Sequence, residues 1–67
     1  MIWYVILLFF NLNGDPIDVQ KLFHQFTTYE DCIVFGNVKA GQQQAAIPLP
    51  AEKRPTVIPV CVRLTKH

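Results

Sequence analysis

The chain has 67 residues, 51% of them apolar and only 16% charged, with a formal net charge of +1. That length allows one domain, residues 1–67, near the lower limit at which a hydrophobic core suffices without a covalent staple. A soluble domain typically carries about 25% charged residues. The shortage of charge argues against disorder, and the scattered Lys21, Lys39, Lys53, Arg54, Arg63 and Lys66 give none of the clustered basic footprint of a nucleic-acid binder.

The first element is Ile2-Trp3-Tyr4-Val5-Ile6-Leu7-Leu8-Phe9-Phe10, an unbroken apolar run. A membrane-spanning helix needs about 20 such residues, and a secretory signal needs a basic start and a small-residue cleavage site. The run is too short for the first and lacks the marks of the second. Its Trp, Tyr, Val, Ile and Phe suit a pleated surface, so it reads as a central strand with two apolar rows: Ile2, Tyr4, Ile6, Leu8, Phe10 and Trp3, Val5, Leu7, Phe9. Asn13-Gly14-Asp15-Pro16 then reverses the chain, with Gly14 supplying the positive φ of a tight turn. A second strand, Ile17 to about Phe26, mixes apolar and polar residues as an edge strand does. Its alternation changes midway, which points to a bulge near Lys21-Leu22.

Thr27-Thr28-Tyr29-Glu30 has the spacing of a capping box, Thr27 receiving the Glu30 amide. A helix is expected from Thr28 to about Lys39, with Gly41 as its natural stop, or on through Gln44, and Gln42-Gln43-Gln44-Ala45-Ala46 could add another turn. Tyr29, Cys32, Ile33, Gly36 and Ala40 make its sheet-facing stripe, and Gly36 lets the backbone come close to the sheet. Val34, Phe35 and Val38 form a second apolar strip beside it. Residues 41–55, with three prolines, read as a mobile crossover loop. The last strand is Thr56 to Leu64, and Pro59, which has no amide to donate, places it at a sheet edge or at a bulge. The expected fold is α+β: a three-stranded antiparallel sheet of order 2-1-3, first strand central, with one helix on one face. The step from the second strand through the helix to the third is a crossover, expected to be right-handed.

Cys32 and Cys61 lie 29 residues apart, and a bond between them would contribute about 3–4 kcal/mol in the chain-entropy model. In a reducing compartment both would instead be small core hydrophobes. If the bond forms, alternation puts Val57 and Pro59 under the helix with Cys61 and turns Ile58, Val60, Val62 and Leu64 outward. The opposite register turns Cys61 and Arg63 outward. Either way one face of the sheet lacks a cover, and the expected interface is Trp3, Val5, Leu7 and Phe9 with Ile58, Val60, Val62 and Leu64.

No chemistry-bearing pattern competes with this. A metal site would need Cys32, Cys61, His24 and His67, four dispersed ligands without paired-cysteine spacing. A nucleophilic cysteine would need His24 beside it, and Asp15, Asp18, Glu30 and Asp31 are used by turns and caps. No enzyme activity, metal or cofactor is therefore expected. The expected function is a small protein-interaction module that binds a protein partner or itself, a homodimer being the default. The alternative is a membrane-associated protein using residues 2–12 as an interfacial or signal-like anchor.

The motifs Phe26-Thr27-Thr28-Tyr29-Glu30-Asp31-Cys32 and Pro59-Val60-Cys61-Val62 resemble small uncharacterised strand-strand-helix-strand proteins of bacteriophage and bacterial genomes. The order of elements, with a proline and a cysteine in the last strand, is also similar to the short host RNA polymerase inhibitors of T7-like phages. The resemblance implies an accessory or host-takeover factor working on a host protein in the host cytoplasm. It implies no catalytic residue.

Overall fold

In a computed structural model describing residues 2–64, the chain runs β1 (Ile2–Phe10), β2 (Pro16–Phe26), α1 (Tyr29–Ala46), a short 3-10 turn (Ala51–Lys53) and β3 (Thr56–Leu64). The strands form one sheet of order β2-β1-β3, and β1 is antiparallel to both neighbours. This is the expected α+β arrangement. Both edge strands run the same way, so the connection through α1 crosses over β1.

The β1–β2 connection is held by more than its glycine. Gly14 takes φ +86°, as a tight reversal requires. The Asn11 side chain does the rest: its Oδ1 accepts from the amides of Asn13 and Asp15, each at 2.9 Å. Farther along, Ile6 stands opposite Lys21 but Tyr4 opposite Gln25, so Leu22, Phe23 and His24 oppose Val5 alone. That is the bulge expected from the broken alternation, one residue further on.

Helix α1 starts one residue later than expected and takes the longer of its expected ends. Its cap is Thr28, whose hydroxyl accepts from the Asp31 amide at 3.2 Å, rather than Thr27 with Glu30. The spacing from Thr28 to Asp31 is the same, and the helix simply starts one residue later. At the other end the helix passes through Gly41 and stops at Ala46. A Cβ at Gly41 would meet nothing within 4 Å, so this glycine sits on an open face and costs only propensity. The stop comes from Pro48, which forces the preceding Ile47 into extended backbone (φ −72°, ψ 123°). The crossover loop therefore begins at Ile47, not at residue 41. It has hydrogen bonds of its own, including Arg54 Nε donating to the Leu49 carbonyl at 2.7 Å.

The core is small: Val5, Leu7, Cys32, Ala40 and Val57, with Trp3, Phe9, Leu22, Phe26, Phe35 and Cys61 packed around it. The buried helix stripe, Cys32, Gly36 and Ala40, is made of small side chains at four-residue spacing. A Cβ on Gly36 would lie 3.0 Å from Pro59 Cβ and 3.3 Å from Val5 Cγ1. The helix backbone thus rests directly on β1 and β3, and it leans away from β2.

Candidate functional site: the open face of the sheet

Cys32 and Cys61 are joined, with their α-carbons 6.2 Å apart. This settles the register of the last strand. Directly opposed residues of an antiparallel pair point to the same side, and the pairs on the helix side are Val5 with Cys61, Leu7 with Pro59 and Phe9 with Val57. Ile58, Val60, Val62 and Leu64 are consequently on the other side, as the bonded register requires.

The same pairs correct the assignment on β1. Val5 and Leu7 are 0% exposed, Phe9 packs against the core, and Trp3 meets the Tyr29 ring edge-on at 5.2 Å between centroids. Trp3, Val5, Leu7 and Phe9 therefore form the covered row. They cannot share a face with Ile58, Val60, Val62 and Leu64, because Val5 lies opposite Cys61. The row that joins the β3 residues is Ile2, Tyr4, Ile6, Leu8 and Phe10. Alternation could not have picked it out, since both rows of β1 are wholly apolar.

The open face is therefore built from β1 and β3 over their whole lengths, with Ile6 beside Val60, Leu8 beside Ile58 and Tyr4 beside Val62. Ile2, Ile58, Val60 and Leu64 count among the exposed large hydrophobics, and Tyr4, Ile6, Leu8, Phe10 and Val62 are half-buried. β2 adds Val19 opposite Leu8, Lys21 opposite Ile6 and Gln25 opposite Tyr4. Lys21 is the one charged residue that these pairings place on the face. Its ammonium lies 4.8 Å from the Tyr4 ring centroid, a cation–π contact that keeps the stem flat on the sheet. A depression of about 90 Å³ is lined by Tyr4, Lys21, Leu22, Phe23, Gln25 and Leu64. Phe23, pushed out by the bulge, is 86% exposed.

Other surfaces are weaker. A cleft of about 450 Å³ lies between the β1–β2 turn and the crossover loop, lined by Leu12, Ile17, Leu49, Lys53 and Pro55 with Asn11 and Asn13. Its Asn11 side chain is already used by the turn. The outward side of α1 exposes Val34 and Val38, one turn apart and isolated. His24 is drawn to Phe35, with ring centroids 4.9 Å apart, not to either sulfur. Among the described residues no polar or charged side chain is buried, and no three His, Cys, Asp or Glu gather as metal ligands. His67 lies outside the described residues. No described helix is long and apolar enough to cross a membrane.

The fold defines a ββαβ protein of the α+β class with a disulfide between helix and last strand. No family model, curated protein or solved structure matches the chain.

Proposed function

We propose that the chain is a non-enzymatic interaction module whose open sheet face receives a protein partner or a second copy of itself. One observation carries this reading: β1 and β3 present a continuous apolar surface with no covering element among the described residues. Monomeric soluble proteins rarely expose contiguous apolar patches beyond a few hundred Å². The resemblance to small phage proteins supports a partner of host origin and an accessory or host-takeover role in the host cytoplasm.

The reading is tested with a photo-reactive residue in place of Ile58, on the open face, and in place of Val34, on the outer side of α1. After irradiation in a bacterial lysate, protein adducts through position 58 and not through position 34 are expected. Adducts through position 34 alone would move the interface to the helix. The membrane alternative requires residues 2–12 to enter the lipid interface, yet β1 is the central strand and its Val5 and Leu7 are fully buried. Flotation of the folded, oxidised protein with anionic vesicles would favour that alternative.

A further inference from the structure

We infer that the occupant of the open face is a second copy of this chain, packed sheet on sheet about a two-fold axis, with β1 and β3 at the centre and β2 at the rim. The inference rests on the reading of this face as a docking surface and adds to it the identity of the partner. Three observations carry it.

The first is area. Nine-residue strands are about 30 Å long and three of them span about 15 Å. That is a footprint of about 450 Å² per copy, or about 900 Å² for the pair before side-chain relief is counted. Specific interfaces need about 1,000 Å² or more. The second is charge. A two-fold axis brings a surface against itself, so any charge at its centre meets its own kind. Here the centre, from Ile6 and Leu8 to Ile58 and Val60, has no charge, and Lys21 stands on the β2 side. A centre without charged groups complements itself, with Lys21 and Gln25 of β2 beside it, and it offers nothing at its middle by which a partner of opposite charge would be selected. Apolar centre and polar rim are also the ordinary anatomy of an interface between copies. The third is the sheet's edges. β2 and β3 are both edge strands, with backbone amides and carbonyls that need water or a partner. Face-to-face packing leaves those edges in water, whereas burial of the sheet in lipid would strip them. A single lysine also gives little attraction to anionic headgroups.

The test is sedimentation of the purified, oxidised protein from about 0.1 to 100 µM, with Val60→Asp at the centre and Lys21→Glu at the rim. A reversible dimer with a micromolar dissociation constant is expected. Val60→Asp weakens it by about 100-fold or more, because the aspartate is buried without a counter-ion, and Lys21→Glu changes it less than about threefold. Circular dichroism and the emission of Trp3, which lies on the covered side, verify that each variant is folded. Should Val60→Asp fail to fold, the photo-reactive residue at position 58 in the pure protein takes its place, and an adduct between two copies is the expected product. A monomer at 100 µM that still cross-links to another protein through position 58 overturns the second copy and leaves the docking surface standing. A monomer without such adducts overturns both. A dimer untouched by Val60→Asp places the contact elsewhere, and a monomer that floats with vesicles gives the face to lipid; either result overturns the inference.

Discussion

Val5 and Leu7 lie fully buried beneath α1, while Ile6 and Leu8, their neighbours in β1, stand half-exposed on the opposite side of the same sheet. The two rows have the same chemistry. What separates them is the cover: a helix with a stripe of small residues, bonded through Cys32 to Cys61. Gly36 lets that helix descend onto Val5 and Pro59. Among the described residues there is one such element, so one face of the sheet is covered and the other is open. A patch of this kind is a product of supply, more apolar strand than helix to cover it.

Substitutions on the covered side should act on stability, and those on the open side on association. The largest effect is expected from breaking the bond that fixes the cover. Cys32→Ala with Cys61→Ala, or reduction, should cost about 3–4 kcal/mol of unfolding free energy, measured by urea titration with and without a thiol reductant. No change would mean that packing alone holds α1 to β3. Leu7→Ala, in the middle of the covered row, is expected to lose about 3 kcal/mol in the same titration. A loss well under 1 kcal/mol would show that this row is not the core.

Gly36→Val sharpens the comparison from the helix side. With Pro59 Cβ only 3.0 Å from where a Cβ would stand, the helix must lift, and a loss of about 2 kcal/mol is expected. Gly41→Ala, whose Cβ points into open space, should gain up to about 1 kcal/mol from helix propensity. If both glycines respond alike, close approach is not the reason for Gly36. Thr28→Ala removes the cap of α1 and should cost about 1 kcal/mol, while Thr27→Ala changes almost nothing.

Only a small stability change is expected on the open face. Ile6→Ser should shift the unfolding of the dilute monomer by less than about 1 kcal/mol, yet weaken association in sedimentation. If Ile6→Ser destabilises the dilute protein as much as Leu7→Ala does, the two faces are not different after all.

Much of the fold was legible because it is encoded locally. Nine consecutive β-forming residues ended by Asn/Gly/Asp/Pro define β1 within its observed bounds, and Pro59 marks β3 as an edge. The bulge in β2 shows as a break in alternation. Helix boundaries were less legible, for two reasons: Thr27 and Thr28 offer two caps of equal chemistry, and Gly41 looks like a stop although Pro48 is the residue that forbids further turns. The candidate site was half legible. Its β3 residues follow from the cysteine bond through period-two alternation, but its β1 residues do not.

By itself the sequence determined the elements, their order, the edge position of β3 and the surplus of apolar strand over covering helix, since each is a matter of composition and spacing along the chain. Which row of β1 faces α1 was decided by tertiary structure alone. Both rows bury equally well, so nothing local distinguishes them. The choice falls to the cross-strand pairing of Val5 with Cys61 and to the bond from Cys61 to the helix, which join residues far apart in the chain.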